Sequence, residues 1–262
     1  GKHKLLSDVH RLSVGAGRAA WSSPACTGAK LTGRMGHSLA HVPWRRALLC
    51  FGGFVKGVKG GYCTQVLLLA LDALVWTEVT LTPQPFDAPA PAGRLGSALA
   101  VLPAERRILV LGGSARSASL DEVLLLDLEA GGALEATLVP LPAPPGGKAS
   151  RARAHGAALL LPPYVLHLGG ADGGATERMD VLHAPSGEWA SVEAAADAGA
   201  DDDDSFSAAR RKFAGVVIET RREAGRVDAS ILVWGGEVEG APAGAAAAEL
   251  SSVQLLRVSA VD

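Results

Sequence analysis

The sequence predicts an all-β protein made of repeated four-stranded sheets, and three observations support this prediction. A short apolar segment that ends in Gly-Gly follows an Arg four times along the 262 residues. Apolar residues rarely recur at the i, i+3, i+4 spacing of a helix. The longest apolar runs, such as Val66 to Leu71 and Ala157 to Leu161, are as short as β-strands and fall far below the roughly 20 residues of a membrane-spanning helix.

The repeated unit has a constant order of parts. After the Arg come an apolar strand, a turn, a second apolar strand ending in Gly-Gly, a variable loop, and a third strand that opens with a polar residue and Val. The doublets begin at residues 52, 112, 169 and 235, so successive copies are 60, 57 and 66 residues apart. Periods near 50 residues are typical of propeller blades, and the excess here lies in the loops.

The Gly-Gly doublet has a physical reason at the end of an apolar strand. Glycine adopts φ > 0 at little cost and lets another backbone approach closely, which a residue with a Cβ resists. A sheet of four short strands cannot bury both of its faces alone. Stacking such sheets around an axis buries them and leaves few open edges. The repeat therefore predicts a β-propeller.

The motif resembles the kelch repeat. The resemblance is carried by Arg34-Met35-Gly36-His37-Ser38, by the strand-final doublets, and by Asp180-Val181 with the downstream Trp189. It extends over about residues 5 to 258. The resemblance implies a kelch-type β-propeller that binds peptide or protein partners on a face formed by the loops around its axis.

The predicted boundaries treat residues 1–262 as one propeller domain. The blades are expected at about 5–24, 34–81, 94–140, 151–193 and 209–260, with an acidic low-complexity insertion at 194–208. Two, four, four, four and three strands are expected in these segments, which is fewer than five or six complete blades require. We therefore expect four recognisable blades and a partial one, belonging to a ring of six or seven blades that this chain does not close by itself.

The candidate partner-binding residues fall into two groups. The first follows the doublets and varies in chemistry from copy to copy, as expected of a surface free of the demands of the fold: Phe54, Ser114, Arg116, Asp172 and Glu237. The second is the series of repeat-leading arginines: Arg34, Arg94, Arg153 and Arg211. These guanidinium groups either tie adjacent blades together by bidentate hydrogen bonds or project toward an acidic ligand.

Long insertions offer a second possible contact surface. Glu193 to Asp204 is acidic, Gly240 to Ala248 is rich in Ala and Gly, and two Pro-rich connectors run from Pro83 to Gly93 and from Pro140 to Lys148. Ordering such segments on a neighbour lets a protein wrap a large surface. Because the predicted face has few aromatic anchors, we favour the insertions as the contact surface.

The sequence offers no catalytic residue, cofactor or metal site that we can identify. It has no Gly-x-Ser-x-Gly motif, and neither of its two tyrosines lies beside a His pair of the kind that copper-containing propellers use. The histidines of the repeat, His37 and His155, are expected to be buried structural residues, as are the three unpaired cysteines. Trp21, Trp76 and Trp189 recur at one repeat position, which predicts core packing.

These observations predict a non-catalytic interaction or scaffolding module, most simply a structural or adaptor subunit of a larger complex. The alternative is a substrate-recognition propeller attached to a catalytic or ubiquitin-ligase-linked domain outside this sequence. A net charge of -2 gives no reason to expect nucleic acid or membrane insertion, so protein partners are predicted. Three cysteines without a metal-like pattern indicate an intracellular and cytoplasmic location, with an organelle as the alternative.

Overall fold

The structure is a computed structural model that describes residues 4–15, 17–58, 60–83, 92–116, 118–129, 135–140, 152–172, 174–175, 179–192, 210–223, 226–238 and 253–261. Within these ranges nearly all regular structure is β-strand, and the one helical element is the 3-10 turn Pro43–Arg45. The chain divides into two compact units. Unit 1 comprises residues 1–95, 101–108 and 125–139, and unit 2 comprises 96–100, 109–124 and 140–262.

Unit 1 contains a two-stranded hairpin and the first four-stranded blade. Its strands up to residue 83 are β1 (Arg11–Gly15), β2 (Arg18–Ser22), β3 (Thr27–Gly28), β4 (Arg34–Met35), β5 (Ser38–Val42), β6 (Ala47–Phe51), β7 (Phe54–Val55), β8 (Val66–Ala70) and β9 (Val75–Pro83). Strands β1 and β2 form the hairpin, and blade 1 is the antiparallel sheet β5-β6-β8-β9. The short pair β4-β7 flanks the first doublet.

Blade 2 contributes strand segments to both units. Its strands are β10 (Ala98–Leu102), β11 (Arg107–Leu111), β12 (Ser114–Ala115), β13 (Ala118–Ser119), β14 (Val123–Asp127) and β15 (Glu135–Pro140). The long strands follow the order β10-β11-β14-β15, and β12 pairs with β13. Within unit 1, β15 lies parallel to β9, with Glu135 opposite Thr80.

Unit 2 contains blades 3 and 4. The strands of blade 3 are β16 (Ala157–Leu161), β17 (Tyr164–Leu168), β18 (Ala171–Asp172), β19 (Gly174–Ala175), β20 (Met179–His183) and β21 (Glu188–Val192). Those of blade 4 are β22 (Arg210–Arg211), β23 (Ala214–Glu223), β24 (Arg226–Trp234), β25 (Glu237–Val238) and β26 (Val253–Val261). Blade 3 has the antiparallel order β16-β17-β20-β21, and blade 4 has the order β23-β24-β26.

Blades 3 and 4 pack face to face around an aliphatic core. Alternate residues of β24 are buried, which is the two-residue period of a strand with one covered face. Its Ala229, Ile231 and Val233 pack with apolar residues of β16, β17 and β20, namely Leu159, Leu161, Leu166, Leu168, Met179 and Val181. Burying each large aliphatic side chain in such a core contributes about 1.5–3 kcal/mol.

The doublets have the predicted backbone conformation. The first glycine of each has φ between 52° and 71°, and the second has φ between 98° and 109°. A Cβ at Gly52 would lie 2.6 Å from the Arg94 carbonyl oxygen, and one at Gly112 would collide with the Arg153 carbonyl oxygen. The predicted close approach of another backbone at the doublet is therefore confirmed.

The strands form the predicted groups. Among the described residues, strands of five or more residues occur as two, four, four, four and three in the hairpin and the four blades. The prediction of an all-β chain built from repeated sheets is confirmed. Whether one domain spans the sequence, and whether this chain closes a ring, remain predictions.

One core prediction is wrong. Trp76 is 6% exposed and Trp189 is half-buried, but Trp21 is 71% exposed. Trp21 is exposed because it lies on the β1-β2 hairpin, and every residue of these two strands is exposed. A repeat position predicts burial only where a neighbouring sheet covers it.

Candidate partner-binding surface

Arg34 is held inside blade 1. Its side chain is buried, and Nη1 donates to the Gly52 carbonyl oxygen at 3.1 Å while Nη2 donates to Oε1 of Gln65 at 2.6 Å. Nε donates to the Thr32 carbonyl oxygen at 3.2 Å. The guanidinium group therefore fixes the doublet against the third strand of its own blade.

Arg94 ties the second repeat to the first. Its side chain is fully buried, and Nε donates to the Ala92 carbonyl oxygen at 3.1 Å. Its backbone N–H donates to the Cys63 carbonyl oxygen at 3.1 Å, and its own carbonyl oxygen accepts from the Gly53 N–H at 2.8 Å. The backbone of the repeat-leading Arg is thus hydrogen-bonded to the preceding doublet.

Arg153 forms a buried ion pair in blade 3. Its Nη2 lies 3.1 Å from Oδ2 of Asp180 and donates to the His167 carbonyl oxygen at 2.7 Å, and all three side chains are buried. The Arg153 carbonyl oxygen accepts from the Gly113 N–H at 2.9 Å, which repeats the bond between Arg94 and Gly53. This arrangement supports the structural alternative for the arginine series.

Arg211 does not occupy the same repeat position as the other three arginines. The residue two places after each leading Arg has φ near 60° in the first three copies, at Gly36, Gly96 and His155, and in the fourth copy this conformation belongs to Lys212. Strand pairing agrees, because Arg34 lies opposite Val55 and Met35 opposite Phe54, while Arg210 lies opposite Val238 and Arg211 opposite Glu237. Arg210 is therefore the equivalent of Arg34, and Arg211 the equivalent of the exposed Met35.

Arg211 and Glu237 come together in a charged cluster on blade 4. Oε2 of Glu237 lies 3.2 Å from Nε of Arg211, and its Oε1 lies 2.8 Å from Nζ of Lys212. The hydrogen bond from Lys212 and, to a smaller extent, the contact with Arg211 lower the pKa of the Glu237 carboxyl below its usual value. Each of the three side chains is more than a third exposed, so the cluster faces solvent.

His155 lies beside this cluster. It is half-buried, and its backbone carbonyl oxygen accepts a hydrogen bond from the Lys212 N–H at 2.8 Å. Burial lowers the pKa of its imidazole, and the positive charges of Lys212 and Arg211 lower it further. His37 in blade 1 is exposed, although partial desolvation and the charge of Arg34 lower the pKa of its imidazole. The sequence predicted that both rings are buried, and this prediction is wrong.

The remaining candidates lie next to the doublets, three of them on short strands and Arg116 in the turn after β12. Phe54 is half-buried and packs edge-on against Tyr62, with ring centroids 5.8 Å apart. Ser114 is half-buried on β12, whereas Arg116 and Asp172 are exposed. The structure thus joins Arg211 with Glu237 and places Arg34, Arg94 and Arg153 in the interior. Partner binding by any of these residues stays a prediction.

Neighbouring short strands of unit 2 are joined near the candidates. Oγ of Ser119 on β13 donates to the carbonyl oxygen of Ala171 on β18 at 3.2 Å. Ala171 and Ala154 exchange backbone hydrogen bonds of 2.8 and 3.0 Å. The exposed candidates of unit 2 are therefore carried on a backbone network anchored to the repeat-leading segment. The predicted acidic contact tract, Glu193 to Asp204, lies outside the described residues.

Metal-ligating side chains do not cluster in the described part of the chain. Its His, Cys, Asp and Glu residues form no group of three that could hold a metal ion. The three cysteines are free, and burial raises the pKa of the Cys50 thiol to about 11, so that thiol is protonated and unreactive near neutral pH. Across these residues no helix has the length and apolar character to cross a membrane.

Sequence reasoning missed four residues of this surface and its support: Met35, His155 as a charged-cluster neighbour, Asp180 as an ion-pair partner, and Lys212. Asp180 had a usable signal, because a charged residue between apolar neighbours in a strand needs a buried partner. Lys212 had none, since Lys does not indicate a left-handed backbone.

Comparison with models of protein families finds a match over most of the chain. A family model described as the KLHDC2/KLHL20/DRC7 Kelch-repeats domain matches residues 1–221. No curated protein matches the chain. The matched segment includes the first three doublets and the start of the fourth copy, where the kelch-like residues of the sequence lie.

Proposed function

Because the chain belongs to the KLHDC2/KLHL20/DRC7 kelch-repeat family, we propose that it is a non-catalytic module that binds proteins as a structural or adaptor subunit of a larger complex. Kelch-repeat domains are generally protein-interaction modules and typically non-catalytic. That this module is a subunit of a larger complex is our own proposal.

The proposal is supported by a contrast within the repeat between shared residues that are buried and variable residues that are accessible. The residues common to the copies, the doublets and the leading arginines of blades 1 to 3, make buried backbone and guanidinium hydrogen bonds. The residues next to the doublets differ in charge and size from copy to copy and are half-buried or exposed. Such a constant frame with a variable surface is the arrangement of a recognition scaffold.

The variable surface favours contacts of modest strength. Its described residues include one aromatic pair and the cluster of Arg211, Lys212 and Glu237, in which two cations share one carboxylate. Interfaces obtain most of their affinity from a few buried aromatic or Arg anchors. We therefore assign the main contact to the insertions, above all the acidic tract from Glu193 to Asp204, and an orienting role to the surface beside the doublets.

The test is a quantitative pull-down with the tagged chain as bait in three forms. One is unchanged, one lacks residues 193–204, and one keeps that length but carries Asp201→Asn, Asp202→Asn, Asp203→Asn and Asp204→Asn. We expect the partners to be lost with the deletion and weakened with the neutral tract, because charge attracts a basic partner surface. A fourth bait with Glu237→Lys measures separately how much the surface beside the doublets contributes to partner binding.

Two results would contradict the proposal. Partners that survive the deletion and disappear with Glu237→Lys would place recognition beside the doublets. A bait that retains no protein above the level of an unrelated propeller would remove the scaffolding function altogether.

A further inference from the structure

Blade 4 has one buried and one exposed apolar face. The buried face carries Ile231 and Val233, which pack on blade 3. The opposite face carries Val216, Ile218 and Trp234, which are 51, 56 and 60% exposed. Contiguous exposed apolar patches of this kind mark interaction surfaces more often than isolated apolar residues do.

The exposed face repeats an interface that blade 3 makes. Leu168 and Trp234 both directly precede a doublet, and Leu159 and Val216 both lie four residues after the left-handed residue of their copy. Leu159 and Leu168 are buried in the core that blade 4 covers. Blade 4 therefore exposes the repeat positions that blade 3 buries under its successor.

The β1-β2 hairpin exposes the complementary repeat positions. Leu12 lies opposite Trp21, as Leu69 lies opposite Trp76 in blade 1. Leu69 and Trp76 are buried beneath residues that precede blade 1 in the sequence, including Cys26, Ala29 and Leu31. The hairpin thus exposes, at Leu12 and Trp21, the face that a blade turns toward its predecessor.

We propose that the exposed face of blade 4, built on Val216, Ile218 and Trp234, docks the β1-β2 hairpin of a second copy of this chain through Leu12 and Trp21. The contact continues the interface between blades 3 and 4, with aliphatic and Trp side chains on both sides. It removes two exposed apolar surfaces from water, which is the main driving force of association. Because the two surfaces differ, the contact is head-to-tail. This inference does not depend on the proposed function.

Complementation between two variants tests the proposal. Trp234→Glu damages only the face of blade 4, and Trp21→Glu damages only the hairpin. We expect the unchanged chain to show a mass that rises with concentration in analytical ultracentrifugation, and each variant to weaken association by at least about tenfold. An equimolar mixture of the two variants retains one intact pair of surfaces, so it should form a one-to-one heterodimer.

The controls separate docking from folding. Leu39→Glu replaces an exposed apolar residue of blade 1 and should leave association unchanged. Circular dichroism of each variant checks the fold, and Trp21→Thr and Trp234→Thr replace any variant that unfolds.

Three outcomes would overturn the proposal. The first is an unchanged chain that stays monomeric at all concentrations. The second is association that neither Trp substitution weakens. The third is a mixture of the two variants that remains monomeric, as it would if the two faces did not bind each other between copies.

Discussion

Blades 3 and 4 are copies of one repeat, yet blade 3 has a buried ion pair and blade 4 has an exposed one. In blade 3 the leading Arg153 is paired with Asp180 in the interior. In blade 4 the cations Arg211 and Lys212 pair with Glu237 at the surface. Both blades keep left-handed glycines in their doublets. The left-handed turn is thus common to both blades, whereas their described ion pairs differ in burial.

Strand register shows which partners differ. Asp180 lies opposite His167, and the equivalent positions in blade 4 are Gln254 and Val233. A neutral residue thus occupies the place of the carboxylate in blade 4. In blade 3 this carboxylate compensates the charge of the buried Arg153, and an uncompensated charge there would be costly in a region of low dielectric.

Breaking the buried pair of blade 3 should have the largest effect. In Asp180→Asn the carboxylate is replaced by a neutral group of similar shape, and the charge of Arg153 remains in the interior. We expect a loss of about 3–5 kcal/mol in the free energy of unfolding, measured by urea denaturation. Glu237→Gln, which breaks the exposed pair of blade 4, should cost about 0–1 kcal/mol. Equal costs for the two variants would mean that burial does not distinguish the blades.

The two faces of blade 4 give the second contrast. Ile231→Ala removes a fully buried side chain between blades 3 and 4 and should lower the free energy of unfolding by about 2–5 kcal/mol. Ile218→Ala on the exposed face should change it by no more than about 0.5 kcal/mol at a concentration where the chain is monomeric. A large cost at Ile218 would show that this face is already covered within one chain.

Much of the fold could be predicted because the doublet combines two signals. Two adjacent glycines after an apolar strand indicate both a strand end and a left-handed turn, and all four copies have that geometry. The apolar segments before the doublets are likewise strands. These features are local, so one sequence is enough to find them.

The position of the fourth Arg could not be predicted because it depends on a loop length. The β23-β24 hairpin is longer than its counterparts and contains a bulge between Val217 and Glu219. Spacing from the doublet therefore does not distinguish Arg210 from Arg211. The register of the third strand is also hidden from the sequence: Val66 and Val253 lie opposite the residue before their doublet, whereas in blade 3 Met179 lies opposite Leu168. A shift of two residues keeps the same face of a strand, so the apolar pattern does not reveal it.

The site could be predicted only as a set of positions. Sequence places Phe54, Asp172 and Glu237 next to doublets, and the structure agrees. Which arginines are buried follows from acceptors distant in sequence, such as Gln65 and Asp180, whose contacts no local pattern specifies.

A substitution at the doublet of blade 3 should have an intermediate effect. Gly170 has φ of 102°, and a Cβ there would lie 2.9 Å from the Ala154 carbonyl oxygen. Gly170→Val should therefore lower the free energy of unfolding by at least ~1–3 kcal/mol, measured by urea denaturation. Gly187→Ala is the control, because Gly187 also has positive φ but nothing within 4 Å of its Cβ position. If both variants lose the same amount, the close approach at the doublet adds nothing to the backbone strain.

The smallest effect should be a pH dependence that belongs to the charged cluster beside His155. Because burial, Lys212 and Arg211 lower its pKa below 6.5 in the folded chain, the unfolded chain binds more protons over the interval between the two pKa values. Folding stability should then fall as pH decreases through that interval, and the loss should be complete below the folded pKa.

His155→Asn removes this contribution, and Asn tolerates the left-handed backbone at this position. Urea midpoints between about pH 7.5 and pH 5 should therefore decrease less steeply in His155→Asn than in the unchanged chain. Some slope should remain, because the pKa of His37 is lowered in the same direction. The carboxyl of Glu237 acts in a lower range, since its pKa lies below 4.5. Parallel pH profiles for the unchanged chain and His155→Asn would mean that neither burial nor the charges of blade 4 lower the pKa of this imidazole.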